Sequence, residues 1–241
     1  MNTLIFQVDI GNGTQWLKDS SINPIRNIFI PSVKKYAQKY QYDYKIFTDS
    51  EYIKSGGDFN FLATREKHFA FERYYHFIQD YENIIYLDND IYVFEDSEPL
   101  PDIKGIMAAP EPEGNSSNIF RKFHNQPFNK KYYNAGVIFA EKSSAKLLQD
   151  YMQYRLQNKI RALGKNTDNM MLNEYIIEYP NNFNALENVW NYMPFLDNSK
   201  KILKPNFFHF VGIPGKRLLL NIQKKTKNIG AALEELIKKD R

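Results

Sequence analysis

The four residues Ile84-Ile85-Tyr86-Leu87 constrain this chain more than any other stretch, because they run straight into Asp88-Asn89-Asp90. A strand that is apolar at every position buries both faces, so it belongs in the middle of a sheet with helices on either side. Leu4 to Val8 is a second short apolar run, read as a buried strand, and 44–48 reads as another strand. Helical spacing fills the intervals between them. Asn23-Pro24 supplies a cap and a first-turn proline, and Pro31 then forces two short helices or a kink before Tyr40. Segment 64–81 carries Ala70, Arg73, Tyr74, Phe77, Ile78 and Tyr81 at helical spacing. Strand, helix, strand, helix, strand predicts an α/β fold with a mainly parallel central sheet, and such sheets bind ligands beyond the carboxyl ends of their strands. The second half is more mixed: strands are expected at 105–109, 135–140 and 207–211, and helices at 143–156, 167–179 and 229–239. No linker divides the chain, so 1–241 reads as a single domain.

Composition narrows the function classes. With 43% hydrophobic and 25% charged residues the chain is globular. It has no cysteine, which excludes disulfides, thiolate metal sites and cysteine nucleophiles. A net charge of +4 is too mild for a nucleic-acid surface. The 18 Phe and 17 Tyr serve either an aromatic core or a cleft for sugars or bases. There is no signal-peptide pattern and no apolar run of the ~20 residues a membrane span requires, so the expectation is a cytoplasmic protein. Lys224, Lys225, Lys227, Lys238, Lys239 and Arg241 make the C-terminus basic, a solvated helix face or a weak contact with an anionic membrane surface.

Four segments carry candidate chemistry. Along a strand, alternation points Asp88 and Asp90 the same way and Asn89 the other. Two convergent carboxylates stay ionised when a divalent cation lies between them, and hard oxygen ligands suit magnesium or manganese holding a diphosphate. In Asn134-Ala135-Gly136, the amide offers a donor and an acceptor to a sugar hydroxyl, and Gly136 permits close approach. Thr167 reads as a helix N-cap with Asp168-Asn169 in the first turn. Asp168 either orients or deprotonates a hydroxyl, or merely complements the helix dipole. Finally, His209 ends an apolar run as a core histidine or as a third ligand that shifts preference toward manganese. Gly212, Gly215 and Lys216 after it read as a flexible basic loop, either an ordinary turn or a closure on phosphate.

In this order, the four segments resemble glycosyltransferases of the GT-A fold, and family 8 in particular. The resemblance runs from Leu4 to about Lys216. It implies a metal-dependent transfer of a sugar from a nucleotide-diphospho-sugar, UDP in most such enzymes, to a glycan or other hydroxyl acceptor. The implied metal ligands are Asp88, Asp90 and His209 around Mn2+ or Mg2+. Val8, Asp9 and Lys67 are implied at the nucleotide, Asp88 also at the ribose, and Asn134, Ala135, Gly136, Asp168 and Asn169 at the donor sugar. Asp168 and Asn169 are the implied catalytic pair, Gly212 and Lys216 lie toward the pyrophosphate, and Trp190-Asn191 toward the acceptor. On this reading 1–90 is the nucleotide half, 91–216 the sugar and acceptor half, and 217–241 a basic helical tail. Two departures stand out. Lys216 lies four residues after Gly212 and is followed by Arg217, where the family has Lys-Pro three residues on. Asp168 is followed by Asn169, where the family has Gln. The reading leans to retention of anomeric configuration, with inversion through Asp168 as a base left open. The alternatives are a phosphatase of the haloacid dehalogenase type using Asp88 and Asp90, a nucleotidyltransferase, and a non-catalytic nucleotide- or glycan-binding module.

Overall fold

The computed structural model describes residues 2–9, 25–54, 71–77, 80–127, 129–162, 168–194, 204–226, 228, 230–233 and 235. Strands β1 (Thr3–Val8), β2 (Asp43–Phe47), β3 (Asn83–Leu87), β5 (Ile106–Pro110), β6 (Tyr133–Glu141) and β7 (Phe183–Ala185) form one sheet in the order β2-β1-β3-β6-β5-β7. Only β6 runs against the others; β1 pairs parallel with both β2 and β3. A second, two-stranded sheet pairs β4 (Ile91–Val93) with β8 (Phe207–His209), antiparallel.

Side-chain parity builds the two sides of the main sheet. Leu4, Phe6, Ile84, Tyr86, Ile138 and Ala140 pack under α4 (Lys142–Gln157) and α5 (Asp168–Glu178), through Leu148, Met152, Met171 and Tyr175. Their neighbours Ile5, Ile85, Leu87, Val137 and Phe139 face α1 (Ile30–Lys39), through Val33, Tyr36 and Ala37. Every residue of β1 is buried, as a central strand requires. Strand β2 alternates exposed and half-buried residues and forms an edge. Pro31 sits in the first turn of α1, where its missing N–H costs nothing, and a π-helical turn, Ile25–Phe29, leads into it.

Three expectations change. The helix read over 64–81 is described only from Phe71. There it tightens into a 3-10 turn at Arg73–Tyr75 and stops at His76, because Glu72 and Arg73 turn inward to buried partners. The expected loop at Gly212–Lys216 is the start of α6 (Gly212–Lys225), which packs through Leu219 and Ile222 on Phe29, Phe208 and Phe210. The tail boundary at 217 therefore falls inside a helix. Two helices are absent from the sequence reading: α2 (Glu51–Lys54) follows β2, and α3 (Asn115–Phe123) follows β5. Asn23, Pro24, Lys67, Thr167, Lys227, Lys238, Lys239 and Arg241 lie outside the described residues. Among those described, no helix is long and apolar enough to cross a membrane.

Candidate active site

The carboxyl ends of β1, β3 and β5 and the start of β6 share one edge of the sheet. Asp88 is the first residue beyond β3, and its N–H donates to the Gly136 carbonyl at 2.7 Å. The chain then turns at once, with the Ile91 N–H on the Asp88 carbonyl at 3.2 Å, and β4 departs to pair with β8. Asp88 and Asp90 therefore converge across a tight turn, and strand alternation is not the cause. Asn89 is carried back toward β1, donating to the Val8 carbonyl at 2.6 Å. Its Oδ1 is buried with no partner among the described residues. Gln7, fully buried, donates to the Asp88 carbonyl at 3.2 Å and is itself held by the Tyr44 hydroxyl at 2.6 Å.

His209 meets this turn because β8 lies beside β4. His209 is opposite Ile91, and the Phe210 N–H donates to the Asp90 carbonyl at 3.0 Å. Its Nε2 lies 3.2 Å from Asp90 Oδ1 and 3.8 Å from Asp88 Oδ2, while Nδ1 is 2.9 Å from Asn191 Oδ1. The three side chains offer ligand atoms within 4.8 Å of one another. Two carboxylate oxygens and one imidazole nitrogen form a donor set that suits a hard or borderline divalent cation. Burial by itself pulls the imidazole down, but Asp90 and then Asp88 override it, and His209 is held above its ordinary value. Partial withdrawal from water raises the Asp88 carboxyl and Asp90 adds to this, with Arg73 and His209 opposing.

A second charged group lies behind the first. Arg73 is 1% exposed, and its guanidinium reaches Asp88 at 3.2 Å, Asp168 at 3.0 Å and the Ala135 carbonyl. It also lies over the Tyr86 ring, 4.2 Å from the centroid, and the Tyr86 hydroxyl donates to Asp88. Burial opposes the charge, but Tyr86, Asp88 and Asp168 outweigh it, so Arg73 is held above its ordinary value. On the far side, Glu111 follows β5 and accepts from Asn169 at 2.8 Å and from Asn134 at 3.2 Å. Burial raises the Glu111 carboxyl. Asn169 Oδ1 accepts the Ala135 N–H at 2.8 Å, and Asn173, one turn along α5, brackets Tyr133 with 2.8 Å bonds to its N–H and carbonyl.

Of the residues singled out by sequence, Val8, Asp88, Asp90, Asn134, Ala135, Gly136, Asp168, Asn169 and His209 come together here. Asp9 follows the end of β1, its N–H on the Phe47 carbonyl at 2.8 Å. Gly212 and Lys216 lie in the first turns of α6, just after β8. Trp190 does not line a cleft: it is buried between Phe139 and Phe207, at ring separations of 5.8 and 5.3 Å. Asn191 sits under the site against His209. Sequence reading missed Arg73 and Glu111. A cation on the apolar face of a helical pattern was the available signal for Arg73, and an acid directly after an apolar strand for Glu111.

Residues 24–216 match the model for glycosyl transferase family 8. A search of curated protein sequences finds no match. In structure, the chain is similar to a glycosyltransferase involved in glycosylation of the major capsid of PBCV-1, with a TM-score of 0.61 and 13% identity over 93% of this chain and 100% of that one. It is also similar to the galactosyltransferase LgtC in complex with donor and acceptor sugar analogues, with a TM-score of 0.54 and 10% identity over 94% and 97% of the two chains. At such identities the likeness is one of fold, the GT-A arrangement. The family match spans most of the 241 residues, and the chain belongs to glycosyl transferase family 8 and is a glycosyltransferase.

Proposed function

We propose that this glycosyltransferase moves a sugar from a UDP-sugar to a hydroxyl of a glycan or similar acceptor, with retention of anomeric configuration, on Mn2+ or Mg2+ held by Asp88, Asp90 and His209. The observation that carries this reading is the convergence of those three side chains at the carboxyl edge of the sheet. A cation bound there stabilises the charge that develops on the leaving diphosphate. Val8 and Asp9 at the end of β1, with Lys67, hold the nucleotide, and Asp88 also faces its ribose. Gly212 and Lys216, in the first turns of α6, are assigned to the pyrophosphate, since a helix N-terminus favours an anion. Asn134, Ala135 and Gly136 bound the donor sugar, and Asp168 and Asn169 flank the reacting carbon. The single sheet with its appended ribbon acts as one catalytic unit.

Calorimetric titration tests the donor and the metal together. UDP is expected to bind the wild type only with Mn2+ present, and the Asp88→Ala, Asp90→Ala double variant is expected to lose that binding. Failure of UDP to bind under any metal condition would remove the UDP assignment.

The Asp168 carboxylate is engaged by the buried Arg73 guanidinium at 3.0 Å, a fixed electrostatic arrangement. That favours retention, with Asp168 stabilising an oxocarbenium-like sugar, over a role as general base. Asp168→Asn is expected to lower kcat about 10²-fold, an effect the size of one misplaced electrostatic group, while product configuration stays that of the donor. Proton NMR of the anomeric signal reads the outcome. An inverted product from the wild type would overturn retention, and near-full activity in the variant would remove Asp168 from the chemistry.

A further inference from the structure

The metal-facing nitrogen of His209 is selected by a chain of amides that starts at one backbone N–H. The Gly136 N–H can only donate, and it lies 2.8 Å from Asn134 Oδ1. That contact fixes the Asn134 amide: its oxygen faces Gly136, and its nitrogen faces the Glu111 carboxylate at 3.2 Å. Asn191 lies 3.1 Å from the same Asn134 oxygen, so it must present its nitrogen there. Its own oxygen is thereby turned to His209 Nδ1, at 2.9 Å, and Nδ1 must carry the hydrogen. In the neutral ring the lone pair is then left on Nε2, the atom that faces Asp88 and Asp90.

Backbone pairing holds Asn191 at this position. Trp190 is locked in the core, and the next residue but one, Tyr192, bridges in parallel to Phe208. The Tyr192 N–H donates to the Phe207 carbonyl and the His209 N–H to the Tyr192 carbonyl, both at 2.9 Å. Asn191 is 1% exposed and His209 2%, so water does not compete for the Nδ1 bond. The amide serves both neighbours, donating to the Asn134 oxygen and accepting from Nδ1; a carboxylate would lose the donor but keep the acceptor toward His209.

We infer that Asn191 is a positioning residue that holds His209 as a neutral, Nδ1-protonated ligand presenting Nε2 to a divalent cation, with Asn134 setting the orientation of Asn191. This rests on the proposed metal site, and the experiment separates the two. Mn2+ is titrated with and without UDP, and the bound ion is examined by pulsed EPR for 14N modulation from an imidazole ligand. The wild type is expected to show that modulation. Asn191→Leu, close in volume and excluding water, is expected to weaken Mn2+ binding 10- to 100-fold and to reduce or abolish the modulation. Asn191→Asp, which keeps the acceptor, is expected to retain it. A folded Asn191→Leu protein with Mn2+ affinity within twofold of wild type and unchanged modulation would overturn the positioning role. Absence of Mn2+ binding in the wild type itself would instead overturn the metal site and this inference with it. A measurement needing no variant is the 15N–1H correlation of histidine-labelled wild type with Mg2+ and UDP, where a hydrogen on Nε2 of His209 would overturn the assignment.

Discussion

Arg73→Met is expected to unfold about 6–12 °C below the wild type and to lose about 10³-fold in transfer rate. Arg73 is the buried cation on which Asp88 and Asp168 both depend, at 3.2 and 3.0 Å. Methionine fills much of the volume but leaves two carboxylates facing each other with no charge between them. Breaking a buried ion pair from one side costs about 3–5 kcal/mol. Asp88 and Asp168 retain some access to water, with side chains 28% and 17% exposed, which places this case at the low end, about 3 kcal/mol. The pH dependence has a definite sign. The Asp88 carboxyl is already above its ordinary value, so its contribution to stability is full below the unfolded carboxylate range and is lost as pH rises through the folded value. Arg73 opposes that rise, and its removal pushes the folded value higher still. The stability gap between variant and wild type is therefore widest near pH 7 and narrows toward about pH 4, near the ordinary carboxylate range. Thermal unfolding in EDTA at the two pH values checks this, and an equal gap at both would show that lost packing, and not lost charge, is the cause.

The framework was legible in the sequence because burial leaves a parity signal. Ile84 to Leu87 is apolar at every position and Leu4 to Val8 at every position but Gln7, and they are the strands buried between two helical layers. Side-chain identity was less informative where an element's end, and not its pattern, sets the geometry. Asp88 and Asp90 were read as strand neighbours on one face; they meet because β3 stops at Leu87 and the chain turns into β4. Gly212, Gly215 and Lys216 suggested a loop, yet they open α6. Gly215 is required there because a side chain would collide with the Phe210 backbone, a contact that no local pattern records. Trp190 looked like a cleft residue and is core, since Phe139 of β6 and Phe207 of β8, which bury it, come from other parts of the sequence. Arg73 stood among the apolar positions of a helical face, where its charge was the clue. The apolar strand ending in Asp88 and Asp90 is shared by phosphatases, but the fold places it third along the sheet beside Gly136 and His209, and the family match sets that alternative aside.

Gly136→Ala is expected to lower Mn2+ affinity more than 100-fold and transfer activity about 10³-fold while leaving a folded protein. A β-carbon at Gly136 would lie 2.8 Å from Asp88 Oδ2 and 2.9 Å from Asn134 Oδ1, and closer still to His209 Cε1. None of these neighbours can retreat cheaply. The strand is pinned on one side by the Asp88 N–H on the Gly136 carbonyl, and on the other by the Gly136 N–H on Asn134. His209 is held between Asn191 and the carboxylates, and its backbone is paired on both sides, with β4 and with Tyr192. The methyl group must therefore displace the imidazole, the Asp88 carboxylate, or both, and either shift spreads the three ligands beyond one cation's reach. Overpacking of this kind costs about 1–3 kcal/mol in stability, far less than it costs a site that needs three atoms in register. Gly114→Ala is the matched control, since a β-carbon there meets only the Pro112 carbonyl oxygen, at 3.8 Å. It should leave metal binding, activity and stability unchanged. Wild-type Mn2+ affinity in Gly136→Ala would mean that the cation does not sit among Asp88, Asp90 and His209, because the same methyl group cannot be accommodated with all three ligands in place.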